Sequence, residues 1–145
     1  MIVLDTTVLV YAVGDDHALR DPARAVLDAA YHRRIAATTT VEVIQEFLHV
    51  RARRRTRADA AEHAAAYMRL LSPLVSVDEA TLAAALGVFT TNDRVGAFGS
   101  VLAAVVLGHP GSALVSADRA FAAVGGMTFH DLGAGTLLRD LGAKD

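Results

Sequence analysis

Short, continuously apolar runs punctuate this chain, and longer stretches with helical spacing lie between them. Ile2-Val3-Leu4 is one such run; others stand at 35–37, 74–77 and 113–115, with a last one near 127–129. Runs this short and this apolar predict strands buried on both faces. Between them, apolar residues recur every three or four positions, predicting helices over about 17–32, 40–55, 58–71, 78–87 and 94–107. Turn residues mark the borders: Gly14-Asp15-Asp16, Pro73, Thr90 to Asp93, and Gly108-His109-Pro110-Gly111. Asp21-Pro22 kinks or restarts the first helix, since proline suits a first turn. Thr38 to Thr40 and Asp78 are candidate N-caps, and a short helix follows the turn Ser116-Ala117-Asp118. Strands alternating with helices predict an α/β fold with a parallel central sheet sandwiched between helices. No repeat, low-complexity tract or linker interrupts residues 1–145, which read as one domain.

Composition adds constraints. Hydrophobic residues make up 53% of the chain and the mean hydropathy is +0.36, as expected of a packed globule. The longest apolar stretch, Val101 to Leu107, falls far short of the ~20 residues that span a membrane. The N-terminus lacks a basic region leading into a long apolar segment, so a cytoplasmic location is expected. The chain has no cysteine, which excludes disulfides, thiolate metal sites and a thiol nucleophile. A net charge of −2 gives no overall drive toward nucleic acid, but five arginines crowd into Arg51 to Arg57. Arginine far outnumbers lysine, which occurs only as Lys144. With the abundant alanine, that bias matches GC-rich coding and carries no functional reading.

Candidate chemistry begins at Asp5. A carboxylate at the C-terminal tip of a buried strand sits where open α/β sheets place their ligands. Burial there is costly unless a metal, a partner charge or several donors compensate it. The same residue type also caps turns. A second strand ends alike, in LVSA-Asp118, and a parallel sheet brings such tips to one edge. Two close carboxylates repel unless a cation lies between them. Hard oxygen ligands in low number, completed by water, suit Mg²⁺ or Mn²⁺. The helix after the second strand offers Glu42 and Glu46. Successive helical residues turn by ~100°, so with Val43, Ile44, Phe47, Leu48 and Val50 as the apolar face, Glu46 lies on its edge. Glu42 falls further round toward solvent. Glu46 is therefore the expected third acid.

These residues resemble a known family. MIVLDTTVLVYA resembles the opening of PIN-domain ribonucleases, TTTVEVIQEFLHV their helix bearing a second acid, here Glu46, and LVSADRAF the segment bearing a fourth, here Asp118. The resemblance covers nearly the whole chain, with the three motifs in family order and spacing. Chain length looks most like the VapC toxins of bacterial VapBC toxin–antitoxin pairs. It implies a PIN fold and an Mg²⁺- or Mn²⁺-dependent endoribonuclease that hydrolyses RNA phosphodiester bonds. Asp5, Glu46 and Asp118 would be the catalytic acids and metal ligands, Glu46 directly or through water. Thr6 and Ser116 are placed to hydrogen-bond the carboxylates or the scissile phosphate, or to serve as turn residues. The implied partners are a VapB-type antitoxin, an RNA substrate (tRNA, rRNA or mRNA) and a second copy in a homodimer.

One departure stands out. The family's third acid begins a helix about fifteen residues before the fourth strand, and the corresponding position is Gly99 in GAFGSVLAAVVLG. The neighbouring Ser100 is no replacement for a charged ligand. Asp93 lies six residues earlier, roughly 240° round and ~9 Å along a helix, and reads as a helix cap. A missing acid implies weak metal affinity and reduced turnover, or a PIN-fold module that holds RNA or antitoxin without cutting. The arginine run continues the Glu46 helix. Arg51, Arg53 and Arg54 are therefore candidate contacts to RNA phosphates or antitoxin acids, or a solvated helix end that complements the macrodipole. The six histidines show no metal-ligand pairing: His49 reads as a surface residue and His130-Asp131 as a strand-end turn. A haloacid-dehalogenase-like domain would want a second Asp at Thr7, and a receiver domain an acidic pair with a suitable lysine. Neither a P-loop nor a dinucleotide glycine fingerprint is present.

Overall fold

The computed structural model describes residues 1–144. Four parallel strands form one sheet in the order β2-β1-β3-β4, with β1 at Ile2–Leu4, β2 at Ala37–Thr38, β3 at Ala113–Ser116 and β4 at Thr128–Asp131. Val3, Leu4, Leu114 and Val115 are fully buried in the two central strands, as their unbroken apolar runs require. Register pairs Leu4 with Val115 and Ser116 with Asp131, so the strand ends reach one edge together. The chain leaves β1 to one side for β2 and returns on the other side as β3. The β1/β3 boundary is thus the point where strand order reverses, and the crevice beyond its carboxyl ends is where such sheets bind ligands.

Seven α-helices lie among the described residues: α1 (Thr6–Ala12), α2 (Arg20–Tyr31), α3 (Val41–Ala52), α4 (Arg57–Leu71), α5 (Glu79–Thr91), α6 (Ala97–Leu107) and α7 (Leu137–Asp140). A 3-10 helix spans Arg119–Ala123. α1 packs on α2 and α3, α3 on α4, and α5 on α6. Thr40 caps α3 through the Val43 N–H, and Asp78 caps α5 through the Thr81 N–H. Thr38 and Thr39 instead tie the sheet edge, bonding the carbonyls of Pro73 and Leu4. No helix among the described residues is long and apolar enough to cross a membrane.

Several expectations are corrected. The segment at 74–77 forms no strand; it meets the sheet through a single bridge, Thr40 to Val75, because β2 ends at Thr38 and offers no further edge. The expected helix over 17–32 begins at Arg20, so Pro22 sits in its first turn and bends nothing. α1 and α7 had no counterpart in the expected pattern, being only seven and four residues long. α5 runs on to Thr91, past Gly87. α6 is capped at Gly96, so Asp93, exposed in the preceding turn, caps nothing. His130 and Asp131 belong to β4 itself.

Candidate metal and RNA site

Asp5 sits between β1 and α1, with extended backbone at the N-cap position, yet its side chain caps no helix N–H. The residue is only 9% exposed. Oδ2 accepts from Ser116 Oγ at 2.6 Å and from Thr7 Oγ1 at 2.8 Å. Both hydroxyls have a second duty: Ser116 Oγ accepts the Asp118 N–H at 2.9 Å and Thr7 Oγ1 the Ala117 N–H at 3.0 Å. The ends of β1 and β3 are thereby stitched together around one carboxylate. Oδ1 accepts no bond from the described residues.

Glu46 comes from α3. Its Oε2 accepts from Thr6 Oγ1 at 2.5 Å, which joins the second acid to the residue after Asp5. Asp118 is exposed at the mouth and caps the 3-10 helix through the Ala120 N–H at 2.9 Å. Glu42 departs from expectation. Rather than facing solvent it is half-buried one helical turn from Glu46, and its Oε2 is buried without a hydrogen-bond partner. The four carboxylates line one cleft of about 1000 Å³. Among the described residues no three acids or histidines converge closely enough to hold a metal ion together.

Gly99 lines the same cleft in the first turn of α6. A Cβ at this position would stand 3.0 Å from Phe121 Cζ and 3.0 Å from Val95 Cγ1. Both neighbours are buried, so a side chain here would need them to give by a few tenths of an ångström. Ser100 points away into the core, with its Oγ buried and unpartnered.

The arginines divide. Arg51 is an internal strut: Nε donates to Asp59 at 2.6 Å and Nη1 to the Val13 carbonyl at 2.9 Å, with 12% of the side chain exposed. This bond holds the Asp59 carboxyl below its usual range and raises the Arg51 guanidinium. Arg53 is exposed outside the cleft, whereas Arg54 lines it without an ion pair among the described residues. His49 is exposed. One contributor escapes sequence reasoning: Thr7 carries no signal beyond standing two residues after Asp5. Glu42 is weighed beside Glu46 in the sequence and assigned to solvent, although four residues is a helical spacing that places both acids on one stripe.

Residues 2–127 match the model of the PIN domain. The chain belongs to the PIN domain family. Within that family it is similar to Ribonuclease VapC7 of Mycobacterium tuberculosis (strain ATCC 25618 / H37Rv), with 55% identity over 126 residues, covering 84% of this chain and 85% of the relative. A shorter match joins it to Ribonuclease VapC23 of the same species, 45% identical over 49 residues, or 34% of this chain and 39% of that protein. Identity at this level across most of both chains puts the sequence in the VapC branch, and the parallel sheet with flanking helices is the PIN fold.

Proposed function

We propose that this chain is a divalent-metal-dependent endoribonuclease of a type II toxin–antitoxin system, its turnover reduced by Gly99. The observation that carries the reading is Asp5. A buried carboxylate at the sheet's switch point, held by two hydroxyls and free of capping duty, faces the same cleft as Glu46 and Asp118. Their donor atoms are hard oxygens, and the Glu42 Oε2 is buried with no hydrogen-bond partner among the described residues. They fit an Mg²⁺ or Mn²⁺ ion that keeps much of its water, in line with the lack of a close protein cage. Asp5 and Asp118 would hold the ion, with Glu46 direct or water-bridged. When bound, such an ion polarises a phosphoryl oxygen and lowers the pKa of an attacking water.

The protein's own groups do the positioning. Thr7 and Ser116 fix one oxygen of Asp5 and leave the other to the cleft. Thr6 orients Glu46 in the same way. A carboxylate held before the ion and substrate arrive needs less reorganisation when they do. For protein partners, α5 buries only Ala85 and leaves Leu82, Leu86 and Phe89 at least half exposed, beside Phe98 at 75%. This apolar face supports a VapB-type antitoxin as partner, with a second copy of the chain as the other occupant, both in the cytoplasm.

A second reading is a PIN-fold module that binds RNA or antitoxin without cutting. Phe121 and Val95 packed against Gly99 favour it. An RNase assay of the chain beside Asp5→Ala and Gly99→Asp decides. Cleavage by the chain that Asp5→Ala abolishes supports the nuclease. Cleavage only by Gly99→Asp identifies a nuclease disabled by one residue. Cleavage by none, with Gly99→Asp folded and binding Mn²⁺, establishes the binding module.

A further inference from the structure

The cleft extends well beyond the acids. α1 and α3 leave the Asp5 end side by side: Thr6 bonds Glu46 at the start, and the Arg51 guanidinium bonds the Val13 carbonyl near the far end. Glu42, Glu46 and Val50 form an i, i+4 stripe of α3 along the cleft, and Arg54 lines the same cleft from the turn that follows the end of the helix at Ala52. In the same cleft, at the end of α1, the Tyr11 and His17 rings stack with centroids 4.6 Å apart and planes 29° from parallel. Tyr11 is half-buried and His17 exposed, so the pair presents the outer face of the imidazole. The Leu19 N–H donates to His17 Nδ1 at 3.0 Å, which fixes the ring's orientation.

Charge at this end is largely cancelled within the protein. Asp16 pairs with Arg20 at 3.1 Å and Asp15 with Arg55 at 2.9 Å. Arg51 is committed to Asp59. Arg54 is therefore the cation of the cleft left for a ligand among the described residues. A stacked aromatic pair and an uncommitted guanidinium in one cleft with a set of acids match the chemistry of an unpaired nucleotide. Bases stack on His and Tyr rings, and arginine takes the phosphate. An antitoxin segment would use the apolar wall of Leu82 and Phe98 instead.

We propose that Tyr11, His17 and Arg54 form a subsite for one unpaired nucleotide of the bound RNA, its base stacked on His17 and its phosphate on Arg54, on the same strand as the phosphate held at Asp5. This rests on the ribonuclease reading and gives that cleft a preference for single-stranded RNA. The test is fluorescence anisotropy with a short fluorescein-labelled single-stranded RNA, in Mg²⁺ buffer, on an Asp5→Asn background that prevents cutting. His17→Ala weakens binding about tenfold, while His17→Phe, which keeps a stacking face, stays near the parent. Arg54→Ala weakens binding and lowers the slope of log K against log salt by about 0.7. Arg53→Ala, outside the cleft, does less. A blunt RNA duplex binds the parent and His17→Ala alike. RNA binding unchanged in His17→Ala and Arg54→Ala overturns the subsite and leaves the ribonuclease reading standing. Loss in His17→Phe equal to that in His17→Ala overturns stacking. A parent that binds no RNA overturns both proposals.

Discussion

Asp5 has the backbone of an N-cap without the bond of one, and the difference lies in which atoms reach its carboxylate. Thr7 of α1 and Ser116 of β3 supply hydroxyl donors, so the charge is compensated by one local and one tertiary side chain rather than by a backbone N–H of α1. Gly99 poses the opposite problem, an absent side chain in a tight space. Replacing it with Asp gains about 0.3 kcal/mol of helix propensity and about 0.3–1 kcal/mol from an acid in the first turn of α6. It also drives a Cβ to 3.0 Å from Phe121 and Val95, and overpacking of this kind costs about 1–3 kcal/mol. The cost wins. Gly99→Asp is expected to melt below the parent without metal, and the penalty shrinks on a Phe121→Leu background. A thermal double-mutant cycle reads that coupling; equal penalties on both backgrounds would show that Phe121 does not crowd the site.

The elements that carry the acids are braced away from the cleft. Arg51 in the last turn of α3 grips Asp59 in the first turn of α4 and reaches the end of α1. Tyr67 of α4 donates to the Leu9 carbonyl of α1 at 2.9 Å, and its burial pushes the phenol well above its ordinary pKa. The Arg51 bond lowers the Asp59 pKa, so folding favours the ionised carboxylate. That contribution is complete above the pKa of an unfolded aspartate and is lost as pH falls through the lowered native value. Asp59→Asn is therefore expected to reduce stability at neutral pH, with the gap to the parent closing as pH falls below the ordinary aspartate range. Urea unfolding at several pH values measures this; a gap that stays constant would assign the loss to packing instead.

Viewed whole, the molecule is unequally packed. The α1–α4 side buries Val8, Leu9, Phe47 and Leu71 completely, whereas in α5 only Ala85 is buried, with Val88 partly packed against the core. A helix this apolar, so little buried, is a surface awaiting a partner. Leu86→Lys, at a position 60% exposed, is expected to leave the unfolding free energy of the isolated chain within about 0.5 kcal/mol. The same change abolishes association through that face. Light scattering with and without a VapB-type antitoxin, beside a urea melt, separates the two effects. A marked loss of stability in the isolated chain would place Leu86 in its own core.

What the sequence by itself determined was local in origin. Continuous apolar runs marked β1 and β3, cap residues marked the starts of α3 and α5, and the family motifs followed from residues contiguous in the chain. Elements shorter than about two turns carry too few periodic positions to register, which hid α1 and α7. The run at 74–77 looked like a strand because apolar character does not reveal whether a sheet edge remains to receive it. Tertiary structure alone decided the rest. It turned Glu42 into the cleft and engaged Arg51 with Asp59, leaving Arg54 in the cleft without an ion pair. It also set Ser116 against Asp5, 111 residues away. The reason is physical: a side chain's chemistry is written in the chain, but its partners and its access to water are set by segments that meet only when the sheet closes.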